Sequence, residues 1–455
     1  MIAPSSLLLM LAGFLLLPCG GIAVMRPEYA PMLAAVIVVA AAVAALDALF
    51  ARGRIAGFRV SLPEVVRLTK DRAGAIDLYV HNDRGNAARL SIGLPFPREI
   101  DSEMESVDAL VPAGEALSRV AWPVTPTRRG NYRLSQVYYQ CLSPLRLWTY
   151  RASNPLDVEV RVYPNLLNER KYVAALFLPR GMFGIHAQRQ VGQGREFEKL
   201  REYIPGDSYD EVHWKATAKR GKPVTKVYQL ERTQEVYVIL DTSRLSARTV
   251  QLPAGAVAGQ SDEVYIEVSH LERFISAALI LGAAAERQGD LFGLLTFGDR
   301  VRSFVRAKNG RAHYNTCRDA LYTLEPQLVN PDFDEVFSFI RLRLRRRALL
   351  LFLTNLDDSV LAESFVRNIE IVRRQHLVLV GMITPPRVNP ILSDANVNTL
   401  DDVYRDLAGH LRWHDLRELE RVLHRRGVTF SLLENERMCG QLVSQYADIK
   451  RRQLI

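Results

Sequence analysis

The sequence is poor in the residues that build cross-linked or reactive sites. Only four cysteines occur, Cys19, Cys141, Cys317 and Cys439, and none lies near another. Without a CxxC pair there is neither a disulfide framework nor a thiolate zinc site, and a reducing compartment is favoured for the soluble part. No GxxxxGK[ST] phosphate loop is present, so ATP would have to be a partner's cofactor. Gly192 and Gly194 lack the third glycine of a dinucleotide fingerprint. Neither finger spacing nor an aromatic-basic strand motif marks a nucleic-acid module, so nucleic acid is not an expected partner. Charge is missing from one end. The first fifty residues hold only Arg26, Glu28 and Asp47, whereas the whole chain has 59 Lys and Arg against 50 Asp and Glu. An apolar anchor joined to a basic soluble body follows, and the net charge of +9 suits a domain held near anionic headgroups.

Two apolar stretches fill that end. Ser5 to Met25 and Pro31 to Phe50 each run for about 20 residues, the length a helix needs to cross a bilayer. Joined by a tight turn, they read as a helical hairpin with every backbone amide bonded internally. Asp47, near the end of the second span, is placed to reach the interface. The first stretch has no basic n-region or small-x-small cleavage site, and Pro18 breaks the lipoprotein pattern before Cys19, so both spans are expected in the mature chain. The tip offers Arg26, whereas Arg52, Arg54 and Arg59 follow the second span. By the positive-inside tendency, the soluble part lies on the cytoplasmic side of a bacterial inner membrane.

The remainder divides by pattern. Residues 56–165 show short alternating runs broken by turn residues, among them 75–82, 88–94, 116–124, 132–140 and 157–164, which suggests a β-sandwich-like domain. Residues 166–234 form a linking segment. Residues 235–455 alternate apolar strands with amphipathic helices, the pattern of an α/β, Rossmann-like domain with a mostly parallel sheet. Strands are expected at 235–241, 291–298, 301–307, 348–355, 376–383 and 428–433. Helices are expected at 263–288, 313–324, 333–345, 360–374, 402–426 and 436–452.

Such sheets bind ligands at the carboxyl ends of their strands. The first strand ends in Asp241 and, two residues on, Ser243, a pair of oxygen ligands suited to a hard divalent ion. The fourth ends in Thr354, Asn355, Leu356, Asp357 and Asp358. Turn and N-cap preferences account for such residues equally well. Two helical pairs, His313 with Cys317 and His410 with His414, have zinc-ligand spacing but no third ligand nearby, and read as ordinary helix side chains.

The most specific segment is 192–228, GQGREFEKLREYIPGDSYDEVHWKATAKRGKPVTKVY. Gly192, Gly194, Glu196, Phe197, Leu200, Arg201, Tyr203, Pro205, Gly206, Asp207, Trp214, Lys215, Thr217 and Ala218 resemble the signature of the bacterial "domain of unknown function 58" family. The paired spans, TRRGNYRL, SPLRLW and the C-terminal pattern extend the resemblance along the chain. It implies a membrane-anchored protein with a von Willebrand factor A-like domain. It also implies a MoxR-type AAA+ ATPase partner, and sometimes a transglutaminase-like membrane protein, in assembly work without established catalysis. Against the Asp-x-Ser-x-Ser pattern of metal-dependent A domains, Asp241 and Ser243 match, Leu245 replaces the second serine, and Asn355 stands where an aspartate is expected. The implied metal site is therefore degenerate, with weak Mg²⁺ binding at most.

Within the signature, Arg201, Asp207, Trp214 and Lys215 are the candidate partner-binding residues. The rival role for Trp214 and Lys215 is a structural joint with the sheet. The run Arg341, Arg343, Arg345, Arg346, Arg347 closes a helix, where the dipole favours cations; contact with lipid or an acidic partner is the alternative. Three functions follow: a non-enzymatic, membrane-tethered adaptor docking an AAA+ ATPase; a divalent-ion-dependent binding module; and a hydrolase or transferase, for which no nucleophile, base and orienting group are legible.

Overall fold

In the computed structural model, residues 1–51, 55–85, 87–167, 191–204, 208–229, 234–253, 265–390 and 399–452 are described. They form two units, Met1–Asn165 and Leu166–Ile455.

The first unit joins the apolar hairpin to a β-sandwich. The chain opens as a short strand, Ile2–Pro4, antiparallel to Trp148–Tyr150 of the sandwich. Ser5 then caps the first apolar helix, Ser6–Met25, its hydroxyl accepting from the Leu8 amide at 3.2 Å. A turn at Pro27–Tyr29 leads into the second, Ala30–Ala51. Both are long and apolar enough to span a membrane, and their side chains are left uncovered, with Phe14 81% and Leu17 79% exposed. Lipid satisfies such a surface where water would not.

Asp47, near the end of the second helix, is turned into the protein. It is buried, and its carboxylate accepts from Ser143 Oγ at 2.5 Å and from the Leu145 amide at 3.1 Å. Trp148 Nε1 donates to the Ala44 carbonyl at 2.8 Å, and the Tyr150 hydroxyl donates to that of Ala48. The last turns of the second helix are thus bonded to the sandwich. The reason is geometric: a single carboxylate at a helix end can accept the two donors offered by the 143–148 turn.

Two sheets build the sandwich. One contains Ala88–Gly93, Val107–Val111, Gly130–Leu142, Val65–Thr69 and the long strand Trp148–Tyr163. The other contains Phe58–Ser61, Gly74–Asn82, Leu117–Pro126 and Ile100–Asp101. Alternation sends Ile76, Leu78, Leu90, Ile92, Trp122, Val137 and Val160 inward. The expected runs are all present, but the pattern understated the last: it begins at Trp148, not at residue 157. Register with Gly130–Leu142 shifts at a bulge between Pro155 and Val158, and the irregular stretch hid the strand's periodicity.

In the second unit a six-stranded sheet contains β1 (Glu235–Asp241), β2 (Leu291–Phe297), β3 (Val301–Lys308), β4 (Ala348–Leu353), β5 (Leu377–Ile383) and β6 (Thr429–Leu433). Its spatial order is β3-β2-β1-β4-β5-β6, so the order reverses between β1 and β4, the position where doubly wound sheets bind ligands. All neighbours are parallel except β3, which turns back on β2 after a tight connection. The helices are α1 (His270–Arg287), α2 (Arg311–Leu321), α3 (Phe333–Arg343), α4 (Ser359–Asn368), α5 (Leu400–Arg425) and α6 (Met438–Arg451). One apolar layer holds Phe274 and Leu279 of α1 with Tyr446 of α6; the opposite layer holds Phe337 of α3 and Phe365 of α4. This is the von Willebrand factor A-like arrangement.

The helix expected from residue 263 starts instead at His270. Tyr265–Ser269 alternates as a strand, paired antiparallel with Thr249–Pro253, and Ser269 caps α1 by accepting from the Glu272 amide at 3.3 Å. The stretch expected as helix to residue 374 ends at Asn368, followed by a single tight turn, Ile369–Ile371.

Candidate functional site

The reversal point of the sheet brings the ends of β1 and β4 side by side, since Leu240 pairs with Leu353. Asp241 therefore meets Thr354. One Asp241 oxygen accepts from Thr354 Oγ1 at 2.6 Å, and the other from the Ser243 amide at 2.8 Å. Ser243 Oγ accepts from the Leu245 amide at 3.3 Å, which makes it the cap of the turn Arg244–Ala247. Thr242 Oγ1 donates to the Phe297 carbonyl at 2.7 Å, tying the end of β2 to the same cluster. Asp241, Thr242, Ser243, Thr354 and Asn355 are all buried.

Leu245 turns inward and is 1% exposed. Ser246, one place later than the missing serine, does not replace it: its hydroxyl donates to the Ser243 carbonyl at 2.8 Å. Asn355 points its amide nitrogen at the Leu245 carbonyl, 3.2 Å, and at His270 Nδ1, 2.9 Å. Its carbonyl oxygen is buried without a hydrogen-bond partner. Over the cluster, Arg248 pairs with Asp357 at 2.5 Å. Burial raises the Asp241 carboxyl above its ordinary range, against the lowering effect of its bonds from Ser243 and Thr354. Burial first, and then the Arg248 charge, push His270 down to about 4.

A cation placed here would meet one carboxylate whose oxygens already hold two donors, a serine hydroxyl used as a cap, and an asparagine that offers a single neutral carbonyl oxygen in place of a carboxylate. Mg²⁺ requires near-octahedral oxygen ligation, and this donor set does not fit it. Among the described residues, no group of three or more His, Cys, Asp or Glu is arranged to hold a metal. His270 was not singled out from the sequence. The only available signal was its position directly after a capping serine, and that signal carries no information about the distant Asn355. The zinc-spaced pairs have local roles: His313 Nε2 lies 2.8 Å from the Phe292 carbonyl, and His410 stacks on Trp413 with ring centroids 5.7 Å apart.

The signature forms a separate small structure. Val191–Glu202 and Val224–Gln229 pair as an antiparallel ribbon, with Arg201 opposite Thr225. Between them lies a short helix, Trp214–Arg220, capped by His213 Nδ1, which accepts from the Ala216 amide at 3.0 Å. The helix stops at Gly221, whose φ of 64° is the left-handed conformation that glycine adopts at low cost. Thr217 Oγ1 accepts from the Val224 amide at 3.0 Å and fastens the helix to the ribbon. Trp214 does not serve as a buried joint: it is 67% exposed, and Lys215 beside it is exposed. Tyr209, not singled out from the sequence, is 75% exposed. Asp207 lies outside the described residues.

A family model described as "Protein of unknown function DUF58" matches residues 199–402. No curated protein matches the chain. Among solved structures, an aerotolerance-related membrane protein from Bacteroides fragilis is 13% identical, with 47% of this chain and 98% of that chain covered at a TM-score of 0.28. The protein BatB from Bacteroides thetaiotaomicron is 12% identical, with 48% and 99% covered and a TM-score of 0.28. The VWA domain of SpRpn10 is 9% identical over 47% of this chain and 95% of its own, with a TM-score of 0.27.

Proposed function

With residues 199–402 belonging to the family described as "Protein of unknown function DUF58", we propose that this chain is a membrane-anchored, non-enzymatic adaptor whose signature segment docks a MoxR-type AAA+ ATPase. The observation that carries the reading is the exposure of Tyr209 and Trp214 on the signature. Large aromatic side chains held at the surface, Trp214 at the start of the capped helix and Tyr209 in the turn Tyr209–Glu211 before it, are the anchors that protein interfaces use. Lys215, exposed next to Trp214, supplies charge, and Arg201 lies half-buried on the ribbon. The hairpin holds the adaptor at the bacterial inner membrane with its soluble part in the cytoplasm. A transglutaminase-like membrane protein is a further candidate partner.

Tagged full-length protein, extracted from native membranes, tests this reading. It should bring down an AAA+ ATPase, and Trp214→Ala should reduce the recovered ATPase at least tenfold, as loss of a central aromatic anchor does. Arg201→Glu should act in the same direction. Unchanged recovery in both variants, with melting temperatures kept, would overturn the docking surface.

A further inference from the structure

The arginine run from Arg341 to Arg347 is only partly explained by a helix dipole. α3 ends at Arg343, so the dipole accounts for Arg341 and Arg343 alone, since its effect fades beyond the last turn. Leu344 is a buried cap, and Arg345, Arg346 and Arg347 lie past it on the connection into β4. All three are exposed.

That connection sits at the amino-terminal edge of the sheet, the end opposite Asp241. Glu235, first in β1, pairs with Ala348, first in β4, and Leu349 pairs with Leu377, first in β5. The loops entering β4 and β5 therefore line one edge. Gln375 Nε2 donates to the Arg345 carbonyl at 2.7 Å, which brings exposed Arg374 beside the run. Arg373 donates to the Arg426 carbonyl at 3.2 Å, which adds exposed Arg425. Among the described residues, two acids face the group. Glu235 is 4.0 Å from Arg346, which stays 79% exposed, and Glu370 is engaged by Arg373 and Arg426. Amid these charges Leu342 is 76% exposed.

We propose that this edge is a docking face for an anionic lipid bilayer, with Leu342 entering the headgroup layer. Charge complementarity selects an anionic surface, and an exposed leucine among arginines suits the boundary between headgroups and acyl chains. A bilayer is favoured over a nucleic acid because the same chain carries two helices able to span a membrane, which hold its soluble part at high local concentration beside lipid. The proposal is independent of the ATPase reading.

The test uses full-length protein in lipid nanodiscs of phosphatidylcholine alone, or with about one third phosphatidylglycerol. All four cysteines are buried, so a Leu342→Cys variant takes an environment-sensitive dye at that position. Anionic discs should shift the emission to the blue and make it quenchable by headgroup-labelled lipid. Neutral discs should do neither. The response should fall several-fold when Arg343, Arg345 and Arg346 are all changed to Gln, and should disappear in about 0.5 M salt. If the triple variant loses its fold, the lipid and salt dependence of the parent decides. Equal emission on both kinds of disc, or a response indifferent to salt, overturns the proposal. So does a short DNA duplex that binds through the same arginines while anionic lipid has no effect.

Discussion

The amide nitrogen of Asn355 lies 2.9 Å from Nδ1 of His270, and both side chains are buried. An amide nitrogen can only donate, so Nδ1 accepts and the neutral ring carries its proton on Nε2. The two residues come from different elements, the end of β4 and the start of α1. Their bond closes the cluster in which A domains of the metal-binding kind would present a second carboxylate. Leu245 fills the place of the missing hydroxyl with methyl groups.

The first prediction concerns that closure. The unaltered protein should show no Mg²⁺ binding by calorimetry at millimolar ion. Asn355→Asp alone should destabilise the fold by about 1 to 3 kcal/mol, because a buried carboxylate gains no cation in return. Leu245→Ser with Asn355→Asp should recover stability when Mg²⁺ is added. Tight binding by the unaltered protein, lost in Asp241→Ala, would show that the site is not degenerate.

The second prediction follows from His270. An unfolded histidine titrates near 6.5, whereas this one is held down to about 4. Between those values the unfolded chain binds the extra proton, so the stabilisation is complete above about pH 6.5 and is lost as the pH falls toward 4. The loss attributable to this group is at most about 3 kcal/mol. Asp241, with its raised carboxyl, contributes with the opposite sign. Denaturant titrations across this range should give a flatter profile for His270→Gln than for the parent. Parallel profiles would mean that His270 does not titrate in this way.

A third prediction lies at the other edge of the sheet. Asp290 is fully buried between the Gln234 amide at 3.2 Å, Lys450 Nζ at 2.7 Å and the Tyr446 hydroxyl. These bonds fasten the C-terminal helix α6 to the start of β2. Lys450→Met should cost about 3 kcal/mol, since it strands a buried carboxylate. Tyr446→Phe should cost about 1 kcal/mol, the loss of one hydrogen bond. Chemical denaturation measures both, and a larger effect for Tyr446→Phe than for Lys450→Met would refute the role given to the lysine.

Local pattern and chain chemistry were enough for much of this protein. The apolar spans, the alternating runs of the sandwich, all six strands of the A-like sheet and the substitutions at Leu245 and Asn355 can be read residue by residue, because period, length and side-chain type act locally. The family signature was legible for the same reason. What the residues touch was not. Asp47 could be read as an interfacial charge, and only the return of the 143–148 turn to the helix end made it a buried acceptor. Trp214 could be read as a joint, and its exposure depends on how a short capped helix sits on its ribbon. The partnership of Asn355 with His270 joins positions 85 residues apart, and the arginine edge gathers loops that enter several separate strands. Such meetings are set by strand order and register, which depend on long-range packing, and no window of sequence contains them.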